Sequence, residues 1–399
     1  MSTSEQSPKS SEQSLQSLES VVKDISRFIE KLPDFIPQKA EIRESLNNLR
    51  SAIQSYRPPR IMVIGITNSG KSSLINAICN LYVTKVSAVK PQPVAAEWKN
   101  YYHNGVSLFQ ILDTEGFQAM EAFQGENTMN QSFQSILNAV KKNYPDVILF
   151  VHPAHSVNAG IRANVENAER IVNHIFNCHH LKVPVLGVLT QADRINPTQG
   201  LHDHDSRKRK NIKEARDDLY GHLQQNQILK PVDVIPVCSY VEFEDIKNGF
   251  PIPDTDERWN IDQLIEAMIH CTGQEAKMGI ARISNLKEFR LNAANQIVNC
   301  CAAIAAVASS TPIPGISAPM VGSLQAFMVG YIAWLGGYDF SEKTIENFLG
   351  VGALGIAGIT DVGLKLIPGV GIVLSATANA ATTHGLGKVA IGYFLKNNI

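Results

Sequence analysis

The chain has 399 residues, six cysteines and a formal net charge of -1 at pH 7. That length allows two or three domains with sizeable cores, and the near-neutral balance excludes a global field steering the molecule to nucleic acid. No C-x-x-C pair occurs among Cys79, Cys178, Cys238, Cys271, Cys300 and Cys301, which excludes an evident disulfide or zinc framework and fits a reducing compartment.

Met1 to Gln16 is rich in Ser, Glu and Gln and reads as a disordered polar tail, not a secretory signal. Over residues 17–59, Leu18, Val21, Val22, Ile25, Phe28 and Ile29, then Ile42, Leu46, Leu49 and Ile53, recur at helical spacing. They predict a helical hairpin packed on the next domain, or an arm that binds a partner or membrane. Pro58 and Pro59 end this zone.

Residues 60–285 alternate short apolar runs with helical patterns. Arg60 to Ile64 predicts a strand, and a helix follows from Lys71. Trp98 to His103 and Val106 to Leu112 predict a hairpin turned at Asn104-Gly105. Val147 to Val151, Val183 to Leu189 and Val234 to Cys238 predict further strands. Helices are expected at Met129 to Lys142, Ile161 to His180, Lys208 to Gln227 and Ile261 to Cys271. Such alternation implies an α/β fold with a mostly parallel sheet and a ligand at the carboxyl ends of its strands. His174, Cys178, His179 and His180 cluster at one helix end, where a solvated terminus is favoured over a metal site. Arg207-Lys-Arg-Lys210 reads as a solvated helix face, with anionic lipid or RNA as alternatives.

Gly65-Ile-Thr-Asn-Ser-Gly70-Lys71-Ser72 matches G-x-x-x-x-G-K-[ST] between a strand and a helix. Its glycines let backbone N–H groups of Thr67, Asn68, Ser69 and the following residues through Ser73 face phosphates at a helix N-terminus. Lys71 would reach the β- and γ-phosphates, and the Ser72 hydroxyl would bind Mg²⁺. In Asp113-Thr-Glu-Gly116, the aspartate would hold Mg²⁺ through a water, and the Gly116 N–H would sense the γ-phosphate. Thr190-Gln191-Ala-Asp193 follows a later strand. Asp193 would accept hydrogen bonds from N1 and N2 of guanine, donors that adenine lacks, so GTP is selected over ATP. Cys238-Ser239-Tyr240 stands where a backbone N–H, at Ser239, meets the guanine oxygen.

Together these motifs resemble a GTPase of the translation-factor-related class, nearest its Era-like branch, over Arg60 to Thr272. The resemblance implies a P-loop GTPase fold with a mostly parallel sheet and one hairpin-paired antiparallel edge strand. It further implies hydrolysis of GTP to GDP and phosphate with Mg²⁺, through Lys71, Asn68 and Gly116. Asn68 matches an asparagine that in this branch often holds K⁺. Three departures stand out. Gln191 replaces the usual lysine. Residues 86–97 lack the usual switch threonine, with Val94 or Ala95 in its place. Phe117 stands where the Ras group has a water-positioning glutamine, which leaves Gln118 as an alternative. A slow intrinsic rate and a nucleotide-dependent homodimer are the corresponding expectations.

Residues 286–399 change character. No charged side chain occurs between Arg290 and Asp339, and Ile-Pro-Gly occurs at 313–315 and 367–369, read as marking related helical hairpins. An all-α domain is expected. Met320 to Tyr338 is an uncharged run of near-spanning length, with glycines that permit close helix contact. Residues 295–395 are therefore read as membrane-associated, with a tightly packed soluble core as the alternative. The zone resembles an uncharacterised domain of some bacterial GTPases and inner-membrane proteins. The resulting expectation is a GTPase switch on the cytoplasmic side of a membrane. A ribosome-assembly GTPase and a nucleotide-binding scaffold with negligible turnover are the alternatives; direct nucleic-acid binding is not expected.

Overall fold

A computed structural model describes residues 57–80, 82, 96–103, 106–113, 126–157, 161–202, 206–243, 255–273, 276–277, 279–280, 287–310, 317–336, 338, 344, 348, 364–367, 370–372 and 380–396, with seven scattered helical positions between 23 and 47. The tail at 1–16 and nearly all of the expected N-terminal hairpin lie outside the described residues. The chain divides into two compact units. One comprises residues 57–101 and 108–285; the other includes residues 286–399.

The first unit is built on a six-stranded sheet. Its strands are β1 (Arg60–Gly65), β2 (Trp98–His103), β3 (Val106–Asp113), β4 (Val147–Pro153), β5 (Val185–Thr190) and β6 (Asp233–Pro236), in the order β2-β3-β1-β4-β5-β6. β1 pairs in parallel with β3 and β4, β4 with β5, and β5 with β6. β2 and β3 are adjacent and joined across two residues, so they run antiparallel. β5 begins two residues later than expected, after Pro184, whose carbonyl still accepts from Ile148 N. β6 stops at Pro236; Val237 N still donates to Leu189 O of β5, and a bridge between Cys238 and Trp259 follows.

The helices are α1 (Lys71–Cys79), α2 (Glu126–Lys142), α3 (Ile161–His179), α4 (Arg207–Gln224) and α5 (Ile261–Cys271). Strand periodicity explains how they share the sheet. Met62, Ile64, Ile148 and Phe150 join one core with Phe133, Ile136 and Val140 of α2, Ile171 and Ile175 of α3, and Leu219 and Leu223 of α4. The alternate residues Ile61, Val63, Leu149 and Val151 are buried on the other face, where α1 and α5 meet.

The second unit contains α6 (Lys287–Ser310), α7 (Ser317–Leu335) and α8 (Ala380–Ile391), which contact one another. All twelve residues from Leu324 to Leu335 of α7 are buried. Its one polar residue there, Gln325, donates from Nε2 to Thr383 Oγ1 of α8 at 2.9 Å. The exposed positions of α6 and α8 are mostly polar and include Asn292, Gln296, Asn299, His384 and Lys388. No described helix is long and apolar enough to cross a membrane. The unit also holds a two-stranded antiparallel sheet, β7 (Leu364–Ile367) with β8 (Val370–Ile372), where helix alone was expected. The Ile-Pro-Gly copy at 313–315 lies outside the described residues, and of the copy at 367–369 only Ile367, the last residue of β7, lies within them.

Candidate functional site

The loop from Ile66 to Gly70 leaves the carboxyl end of β1 and enters α1. Close packing explains Gly65: a Cβ there would lie 2.4 Å from the Val151 carbonyl oxygen of β4. Gly70, the N-cap of α1, has φ +83° and ψ +19°, a left-handed conformation that glycine adopts without penalty. A glycine N-cap has no side chain to close the helix terminus, so the first N–H groups of α1 point into the loop with the positive end of the helix dipole. Asn68 is also left-handed, at φ +63°, and is exposed with Thr67. Lys71 is buried, and its Nζ donates to the carbonyls of Gly65 at 3.1 Å and Ile66 at 2.8 Å. The ammonium is therefore held along the loop's inner rim. Ser72 and Ser73 are half-buried on the first turn of α1.

β5 delivers the second loop to the same end of the sheet. Thr190 Oγ1 donates to Ser69 O at 2.6 Å, and Gln191 Nε2 donates to Asn68 O at 2.8 Å. Two hydrogen bonds thus tie the expected base-recognition loop to the expected phosphate loop. Gln191 performs its part without the charge that a lysine would bring, so its bond is the weaker, neutral kind. Gln191 adopts φ +56° and leads into a single turn, Ala192–Arg194. Ala192 N donates to Val237 O, joining that turn to the end of the β6 segment.

Asp193 meets Cys238 here. The Cys238 thiol is fully buried and hydrogen-bonds the Asp193 carboxylate. Burial first, and that carboxylate in addition, push the thiol up to about 12. It therefore stays protonated beside Asp193. Ser239 follows, and a cavity of about 450 Å³ is lined by Ser73 and Asn76 of α1, Tyr82, and residues 239–243. Ser73 and Ser239, assigned to the nucleotide from sequence, therefore line one cavity. That volume falls in the range of small-molecule sites.

Asp113 ends β3 opposite Val63 of β1, two residues before Gly65. This register puts it beside the phosphate loop. Aspartate and serine are residue types whose hard oxygen donors suit Mg²⁺. Gly116, Phe117, Gln118 and the segment at 86–95 lie outside the described residues.

The basic run at Arg207–Lys210 departs from its expected role. Lys208 is fully buried and donates to the carbonyls of Asp193 (2.5 Å), Ile195 (3.1 Å) and Thr198 (3.1 Å). Arg209 lies over the Trp259 ring, 4.3 Å from its centroid. Two of the four cations are thus structural, so the run is not a free solvated face. Four consecutive basic residues masked the signal, and only the helical phase of Lys208 beside apolar Ile212 could have revealed it. The histidine cluster is likewise structural: His179 Nε2 lies 2.8 Å from Val140 O. No metal-competent group of three occurs among the described residues.

Residues 60–191 match the family model described as 50S ribosome-binding GTPase. GTPase Era of Ruminiclostridium cellulolyticum is 28% identical over 142 residues, covering 36% of this chain and 42% of that protein. The tRNA modification GTPase MnmE of Mycoplasma genitalium is 31% identical over 99 residues, covering 25% of this chain and 22% of that protein. The chain thus spans less than half the length of either curated relative. Among solved structures, Toc33 from Arabidopsis thaliana in complex with Mg²⁺ and GMPPNP aligns at 16% identity, with 60% of this chain and 93% of that chain covered and a TM-score of 0.36. A GTP-binding protein from Sulfolobus solfataricus in complex with GDP aligns at 17% identity, with 64% and 66% covered and a TM-score of 0.31.

Proposed function

We propose that the P-loop GTPase domain that begins at Arg60 binds GTP and hydrolyses it to GDP and phosphate as a switch. The observation that carries this reading is the double tether between two loops, Thr190 to Ser69 and Gln191 to Asn68. It supports the reading by joining the loop at the start of α1 to the loop that carries Asp193 at one end of the sheet. The N–H groups at the start of α1 and the Lys71 ammonium take the phosphates. Asp193 reads the guanine edge. Ser72 and Asp113 would hold Mg²⁺, which neutralises developing phosphate charge. Asn68 would hold K⁺ through its exposed side chain. The absence of a switch threonine from residues 86–97 makes turnover slow.

The test is equilibrium binding of GTP and ATP, followed by turnover in K⁺ and in Na⁺. Binding of GTP well above ATP is expected, with turnover faster in K⁺. Equal binding of both nucleotides would remove the GTP assignment. Tight GTP binding without turnover in either salt would leave a nucleotide-binding scaffold.

For the second unit, the polar exposed positions of α6 and α8 favour a water-facing helical bundle. A place on the cytoplasmic side of a membrane is then proposed as peripheral contact only. Flotation with liposomes of mixed anionic lipid tests it; a protein left wholly at the bottom of the gradient ends that part of the proposal. The ribosome reading draws on the description of the matched family alone. Co-sedimentation with ribosomal subunits that is lost at high salt would favour it.

A further inference from the structure

Lys208 is unusual on physical grounds. A lysine side chain is almost never fully buried without partners, because desolvating an ammonium is costly. Here three carbonyl oxygens, those of Asp193, Ile195 and Thr198, take its three N–H donors. All three acceptors belong to the irregular loop after β5. The start of α4 grips the same loop at two more carbonyls. Ser206 Oγ donates to Gly200 O at 2.7 Å, and Asn211 Nδ2 donates to Asn196 O at 2.8 Å. Of these five contacts, one alone reaches Asp193, and it is one of the three from Lys208. Carbonyls accept and cannot donate, so the site fits a fully protonated ammonium. Burial pulls that ammonium below the ordinary lysine range, and the Asp193 carboxylate and Cys238 oppose the pull.

Resting on the GTP reading above, we propose that Lys208 is the positioning residue for guanine selectivity, pinning the backbone of Asp193 from inside the protein. Lys208 does not touch the nucleotide. It acts by fixing where the Asp193 carboxylate stands relative to the phosphate loop, which is anchored separately through Thr190 and Gln191.

The test compares the full-length protein with K208M, measuring the Kd for GDP and ADP with fluorescent analogues and the fold by circular dichroism. ADP binding reports the phosphate loop alone. In K208M, GDP affinity should fall by about tenfold or more, the worth of one charge-assisted hydrogen bond, while ADP affinity holds within about twofold. A GDP-to-ADP ratio unchanged from wild type overturns the proposal, as does equal weakening of both nucleotides. Where K208M does not fold, K208R decides. Its larger planar head keeps the charge but displaces the three carbonyls, so the ratio must still fall with ADP held, and an unchanged ratio overturns the proposal. A wild-type protein with no preference for GDP would instead overturn the GTP reading itself.

Discussion

At the scale of single residues, the site separates selection from anchoring. Asp193 offers acceptors only, which suits the two donors on the guanine edge. Asp193→Asn replaces one acceptor with a donor, matching a base that carries a carbonyl in place of the exocyclic amine. We expect GTP affinity to drop by at least about a hundredfold and xanthosine triphosphate to become the preferred ligand, as measured by competition binding. Ser69 supplies a contrasting case. It is fully buried, its backbone carbonyl accepts from Thr190, and its Oγ has no hydrogen-bond partner. A buried hydroxyl left unsatisfied costs free energy. Ser69→Ala should therefore raise stability by about 1 kcal/mol in urea unfolding, with GTP affinity unchanged because only the backbone of this residue makes the tether.

At the scale of elements, the ends of helices and strands are managed by side chains far away in sequence. α1 ends at Asn80 in a left-handed conformation. Arg258 Nη1 donates to Asn80 Oδ1 at 2.5 Å and to Ala77 O at 3.4 Å, and Asp256 holds the same guanidinium through both oxygens. The helix that follows the Gly65–Gly70 loop is thereby fastened to the segment that precedes α5. Arg258→Ala should lower stability by about 1–2 kcal/mol and weaken GTP binding modestly, by calorimetry. Arg258 holds the Asp256 carboxyl below the ordinary aspartate range. That contribution is complete above the range and lost as pH falls through the depressed value, so the gap between variant and wild type should narrow in acid by the Asp256 part alone, while the part from Asn80 and Ala77 persists.

β6 shows the same economy. Its outer edge is closed by its own neighbours. Val234 N donates to Asp233 Oδ1, Val234 O accepts from Arg216 Nε, Pro236 has no N–H, and Pro236 O accepts from Asn260. Such capping withholds an exposed edge from other strands.

The strands were legible because β-branched runs bounded by Gly and Pro have one buried solution. Helix α5 was legible to the residue because its apolar period is clean. The pairing of the Gly65–Ser72 loop with the Thr190–Asp193 loop at one end of the sheet was legible because both motifs follow parallel strands whose carboxyl ends share that end. The closing contacts were not. Arg258 lies 178 residues from Asn80, and nothing local marks it as a cap. Lys208 was hidden among three other basic residues. β7 and β8 were hidden because glycine-rich apolar segments carry neither a helical nor a strand period.

At the scale of the whole molecule, a switch requires that the second unit respond differently to GTP and to GDP, since a ligand shifts an equilibrium only by its differential affinity for the two states. The described helices allow a direct reading. Gly387 of α8 packs so closely that a Cβ would lie 2.4 Å from Val298 Cγ2 and 3.1 Å from Met328 Sδ. Gly387→Val overpacks this contact and should cost about 1–3 kcal/mol in the helical unit. In differential scanning calorimetry, the transition that this substitution lowers belongs to α6, α7 and α8. GDP and a non-hydrolysable GTP analogue should both raise the transition of the nucleotide-binding unit by mass action. The helical transition decides the function. We expect the GTP analogue to move it by a different amount from GDP at equal saturation. A helical transition blind to which nucleotide is bound would end the switch reading and leave a domain that holds GTP without reporting it.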